Sequence, residues 1–144
     1  MPNYVENDLV VTGDQADLSK FVASVAGIDV PITFNAVIPC PEHLVGFNDT
    51  GWCSANWGTK WDAINPHAWL DENETEWRCS FETAWEPPLK VVQRMAATWP
   101  TLSFELNYYE QGMGFRGTWV RTHDSENRPV ERDERVPYIG IRGG

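Results

Sequence analysis

An α+β domain, with one antiparallel sheet backed by two helices on a single face, is the fold class this sequence predicts. Three observations predict it. Several short runs alternate apolar and polar residues, two segments space their apolar residues at helical intervals, and glycines and prolines stand at the joints between them.

Residues 3–12 (NYVENDLVVT) place Val5, Leu9 and Val11 on one side and Glu6, Asp8 and Thr12 on the other. Period two in a run rich in β-branched residues reads as a strand. Gly13 ends it, Asp14 is placed to cap a helix, and Asp17 falls in the first turn, where the dipole favours a carboxylate. Leu18, Phe21, Val22 and Val25 follow at helical spacing, with Gly27 placed as the residue just past the end. Residues 32–38 (ITFNAVI) read as a second strand, stopped by Pro39 and Pro41. A third is expected at 76–84, where Trp77, Cys79, Phe81 and Thr83 alternate with Arg78, Ser80 and Glu82. Pro87 and Pro88 open a second helix at no cost in hydrogen bonds, its apolar stripe is Leu89, Val92, Ala96 and Trp99, and Pro100 closes it. Residues 101–110 alternate again, residues 111–114 supply a glycine-rich turn, and residues 115–121 return as a strand, which is a hairpin signal. Residues 122–135 read as a polar loop, with Val136 to Ile141 as an edge strand.

The order β-α-β, a long insertion, then β-α-β-β is the split βαβ arrangement of ferredoxin-like folds. The expectation is one domain over residues 1–144. A Trp-rich insertion at 39–75 separates the second and third strands, and residues 122–144 form a polar C-terminal extension.

No apolar run approaches the roughly 20 residues that cross a bilayer, and no basic stretch followed by an apolar one opens the chain. A cytoplasmic protein, without membrane contact, is expected. Three cysteines, Cys40, Cys53 and Cys79, are an odd number suited to reduced thiols. The net charge of −10 is uneven. Residues 1–75 carry 11 acidic and two basic side chains, whereas residues 76–144 carry 10 and nine. Such a surface repels a nucleic-acid backbone, so nucleic acid is not the expected partner. It attracts a basic protein surface.

The insertion is too long for a plain connection and too aromatic for disorder, holding Phe47, Trp52, Trp57, Trp61 and Trp69. Its rings either plug the sheet or supply a binding surface, in which Asn56, Thr59 and Lys60 would set direction. The candidate partner-binding residues are therefore Trp52, Asn56, Trp57, Lys60, Trp61, Asp62 and Glu110.

The phrases NWGTKW (56–61), TAWEPP (83–88) and YYEQGMGFRG (108–117), with the opening MPNYVENDL, resemble the Api92-like/YubB family. The resemblance spans residues 1–120. It implies a ferredoxin-like domain encoded by phages and plasmids, and implies no activity.

Other chemistries are weaker. Cys40 and His43 offer one closely spaced ligand pair, with Cys53, His67 and Cys79 as further donors, whereas a structural zinc site brings two pairs. Neither a metal nor a cofactor is expected. No histidine lies in a nucleophile signature. Glu82, Glu86, Glu105 and Glu110 are the carboxylates a glycosidase would draw on, and Tyr108, Tyr109, Phe115 and Trp119, with Arg78, Arg116 and Arg121, are the groups an RNA-binding sheet would use. The leading expectation is a non-enzymatic, protein-binding accessory factor of a phage or plasmid. It would act as an acidic inhibitor of a host defence complex such as CRISPR-Cas and dock on a host protein with a basic surface. A small-molecule-binding domain or small enzyme, and an RNA or single-stranded-DNA module, are the alternatives.

Overall fold

The computed structural model describes residues 3–45, 50–110, 112 and 114–137. Among these, the strands are β1 (Tyr4–Thr12), β2 (Ile64–Leu70), β3 (Glu76–Ala84), β4 (Ser103–Glu110), β5 (Phe115–His123) and β6 (Pro129–Pro137). They form a single sheet in the order β2-β3-β1-β4-β5-β6, with every neighbouring pair antiparallel. The longer helices are α1 (Gln15–Val25) and α5 (Leu89–Thr98). Between them come three short ones, α2 (Phe34–Val37), α3 (Glu42–Val45) and α4 (Thr50–Asn56). The chain passes from β1 through α1 to β2, and from β3 through α5 to β4, and each connection skips over one oppositely directed strand. This is the split βαβ of a ferredoxin-like fold, the class the sequence predicts.

The core lies between that sheet and the helices. Alternate residues of β1, β3 and β4 point into it, with Leu9 between Cys79 and Leu106, and Val11 between Trp77 and Phe104. Phe21 of α1 meets Trp77, Phe104 and Trp99 edge to face at 5.5, 5.4 and 6.0 Å. From α5, Val91, Val92, Met95 and Ala96 are buried, while the expected stripe members Leu89 and Trp99 are only half-buried at its ends.

Three expectations are corrected. Residues 32–38 are not a strand: Ile32 and Phe34 are buried, but as a loop and one helical turn inserted into the core. Both flanks of β1 are occupied by β3 and β4, so no ladder position is left for this run beside it. The fold's second strand is instead β2, inside the stretch read as an insertion. The long excursion therefore precedes the second strand, and β2 meets β3 through a tight turn. There the Asp71 carboxylate accepts the N–H groups of Thr75 and Glu76 at 2.8 and 3.0 Å. Those bonds favour its ionised form and hold its pKa below the usual value. Finally, residues 122–135 are no loop. They complete β5 and form most of β6, an outer strand exposed along its whole length. Phe47 and the expected edge residues beyond Pro137 lie outside the described residues.

Gly27 is where the sequence puts it, but the helix ends in extended backbone at Ala26 rather than in a left-handed cap. A Cβ on Gly27 would stand 2.9 Å from the side chains of both Val30 and Thr33, so close packing explains the glycine.

Candidate functional site

The seven expected binding residues divide into different roles. Trp57 belongs to the core and is 5% exposed. Its ring meets Phe34 at 5.8 Å and Trp52 at 5.4 Å, edge to face, and its indole N–H donates to the Ile38 carbonyl at 2.9 Å. Phe34 in turn meets Phe81 of β3, so the indole anchors the excursion to the sheet. Asn56 donates its amide to the Trp52 carbonyl. The Asp62 carboxylate accepts the Phe34 N–H at 2.7 Å and the Thr33 hydroxyl at 2.5 Å, fixing the start of α2. Glu110 is buried on β4 and accepts the Gly112 N–H at 2.8 Å. Of the seven, Lys60 and Trp61 are the two classed as exposed, and the Lys60 ammonium lies 5.0 Å from the centre of the Trp85 ring.

The phrases that carry the family resemblance thus build the fold. In NWGTKW, Gly58 adopts φ +89°, and the buried Thr59 hydroxyl donates to the Ala84 carbonyl at 2.8 Å. In TAWEPP, the Thr83 hydroxyl donates to the Glu86 carbonyl and accepts from Asn7, while Trp85 turns the chain at φ 70° ahead of α5. In YYEQGMGFRG, Tyr108 packs under Gly117, and the Arg135 guanidinium of β6 sits over Phe115 and Tyr108 at 4.6 and 5.3 Å.

A second region was not singled out from the sequence: the face of the sheet that, among the described residues, lies opposite the helix-packed core. It holds a broad groove of about 920 Å³. Glu6 and Asp8 of β1, Glu82 of β3 and Glu134 of β6 bring four carboxylates to its lining, against one guanidinium, that of Arg116, among the described residues. His67, Tyr109, Ser80 and Asn107 also line it. Glu6 and Glu82 are direct cross-strand partners. The Gly13 N–H bonds the Thr75 carbonyl in the same ladder. By the alternation of antiparallel ladders, the Glu6–Glu82 pair is therefore of the non-hydrogen-bonded kind, whose side chains stand closest. Like charges so placed destabilise a sheet. Asp8, beside them, accepts the Ser80 hydroxyl at 3.1 Å. At the outer strand β2, Trp69 is 57% exposed. Period two could have pointed to this face, because these carboxylates are the polar members of the alternating runs. Their clustering needs the strand register, which no local pattern reveals.

The alternatives raised by the sequence lose their geometry. Of the four rings suited to base stacking, Tyr108, Phe115 and Trp119 are buried on the helix side, leaving Tyr109 on the open face. Arg121 pairs with Phe104 and so points away from Arg78 and Arg116. Glu110 faces the core while Glu82 and Glu105 face outward, and Glu86 bonds Arg135 at 3.3 Å. No group of three or more His, Cys, Asp and Glu side chains among the described residues is placed to hold a metal ion. Cys79 is sealed in the core, and burial pushes its thiol up to about 12. Among the described residues, no helix is long and apolar enough to cross a membrane.

Fold and face together define a ferredoxin-like α+β domain with an uncovered, carboxylate-bearing sheet. The family model for the ferredoxin-like domain in Api92-like protein matches residues 56–127, half of the chain. The chain belongs to that family. Searches of curated proteins and of solved structures gave no significant match.

Proposed function

We propose that this chain is a non-enzymatic protein-binding factor that receives a basic segment of its partner in the open face of its sheet. The observation that carries this reading is the Glu6–Glu82 pair. A purely structural surface gains from alternating signs across a ladder, whereas this one sets like charges opposite each other and adds Asp8 and Glu134 around them. Lysine or arginine side chains entering the groove would relieve that repulsion. Trp61 and Lys60 lie outside this groove lining and form an accessory contact at most.

The phage or plasmid setting implied by the family resemblance makes a nucleic-acid-handling host protein the candidate partner. A CRISPR-Cas defence complex is one such assembly. There, carboxylates on a folded surface would take the place of phosphates.

Affinity capture from a bacterial host lysate tests the reading, using the natural chain and the triple variant Glu6→Gln/Asp8→Asn/Glu82→Gln. The natural chain should retain a basic protein that high salt elutes, and the variant should lose it. Identical retention by both, or none by either, refutes the proposal. A small cationic ligand in the same groove is a second reading, favoured by the groove's volume. Mass spectrometry of the denatured protein would reveal a co-purified molecule.

A further inference from the structure

Among the described residues, no strand pairs with the outer edge of β6 along its nine residues. Such an edge is a template for another strand, and folded proteins commonly blunt it with charged side chains, a bulge or a proline. The opposite outer strand, β2, has the last two: Pro66 and a register shift between Ile64 and His67. By contrast, β6 pairs with β5 without interruption, its prolines stand at its two ends, and its guard against mispairing is the run of charges from Glu131 to Arg135.

The hydrogen-bonding phase of β6 follows from the turn before it, where the Asp124 N–H donates to the Arg128 carbonyl at 2.9 Å. Bonded pairs alternate along an antiparallel ladder. Val130, Arg132, Glu134 and Val136 therefore direct their backbone groups to β5, and Glu131, Asp133 and Arg135 direct theirs outward. Pro129 and Pro137 share the outward phase, where a missing N–H costs the existing sheet nothing.

The side chains of this strand, PVERDERVP, are self-complementary about Asp133. Laid antiparallel on itself with Asp133 at the centre, it sets Glu131 against Arg135, Arg132 against Glu134 and Val130 against Val136. The outward N–H groups of Glu131, Asp133 and Arg135 then meet outward carbonyls, and the terminal prolines end the ladder. We propose that two copies of this chain associate through antiparallel β6–β6 pairing centred on Asp133, making one sheet continuous across a two-fold axis. Arg135 enters this contact already ordered by Phe115, Tyr108 and Glu86. Asp133 meets its own copy at the axis, a like-charge pair that keeps the association reversible. This interface shares Glu134 with the rim of the partner groove but leaves Glu6, Asp8 and Glu82 untouched.

Sedimentation equilibrium of the full chain over micromolar to millimolar concentrations tests it. The natural chain should pass from 16.4 kDa toward twice that mass. Arg132→Glu creates two like-charge contacts and should weaken association by roughly tenfold or more. Arg132→Glu/Glu134→Arg restores opposite signs and should recover it. Asp133→Asn, which removes the pair on the axis, should tighten it about 2- to 5-fold. A natural chain that stays monomeric throughout overturns the proposal. So does a dimer indifferent to Arg132→Glu, or a double variant that fails to recover.

Discussion

Replacing Trp57 and Trp61 separately asks whether the tryptophan phrase builds the fold or forms a surface. Trp57→Ala removes a ring packed on Phe34 and Trp52 and strips the Ile38 carbonyl of its donor. Truncating a buried aromatic costs about 3–5 kcal/mol, and the lost hydrogen bond about 1 more. For a chain of this length each kcal/mol moves the melting midpoint by about 3 °C, so a fall of roughly 15 °C is expected. Trp57→Phe keeps most of the ring and should fall between this variant and the natural chain. Trp61 is 38% exposed, so Trp61→Ala should move the midpoint by no more than about 3 °C. Thermal melts followed by circular dichroism measure all three. A Trp57→Ala shift under about 5 °C, or a Trp61→Ala shift as large as that of Trp57→Ala, would refute the assignment of Trp57 to the core. A double Trp57/Trp61 variant is uninformative about binding, because it unsettles the fold first.

Gly117→Ala drives a methyl into the Tyr108 ring and to 2.6 Å from the Glu134 carbonyl, so it should cost about 1–3 kcal/mol and speed amide exchange in β6. The Cys79 thiol, raised by burial to about 12 from 9.0, is neutral in the folded chain at pH values where the unfolded thiol ionises. The folded state then binds the extra proton, so its contribution is full below pH 9 and is lost as pH rises toward 12. Near pH ~10.5 the loss from this group is about 2 kcal/mol, and urea melts should show that slope reduced in Cys79→Ala. Glu82→Gln removes the like-charge pair with Glu6 and should raise stability by roughly 0.2–1 kcal/mol in the same melts while weakening partner capture.

What the sequence disclosed was set by how local each signal is. β1, β3 and α5 are legible because they bury one side, and burial on one side writes a period into the residues. The run 32–38 also alternates, but Ile32 and Phe34 reach the core from a loop whose capping carboxylate, Asp62, lies 28 residues past Phe34. β2 is hidden by Pro66 and by a pattern of half-exposed positions. β6 is hidden because, with every side chain exposed, no hydrophobic period marks it. The site was harder still. Aromatic richness pointed to the excursion, yet Trp57 is there to hold it down, while the open-face carboxylates are gathered from β1, β3 and β6. The groove does not follow the uneven charge of the two chain halves, since Glu82 and Glu134 of the second half join Glu6 and Asp8 of the first.

The open face can be argued one step further from its energetics. A ferredoxin-like sheet needs only one face for its core, and the other need only be polar to remain in water. Threonine, serine or alternating signs would serve, as Thr118 and Asn107 do where they bond each other at 2.8 Å. Glu6 opposite Glu82 serves less well, because each carboxylate raises the cost of its neighbour. A local rule broken without a compensating gain in the isolated chain is where function is expected to enter. Among the described residues, the guanidinium on that lining is Arg116, against four carboxylates, with Arg78 beside Asp8 at its edge. A partner that brings further positive charge would stabilise the folded chain as it binds. Glu82→Gln should therefore separate two quantities that move together in most variants, with stability rising and affinity falling.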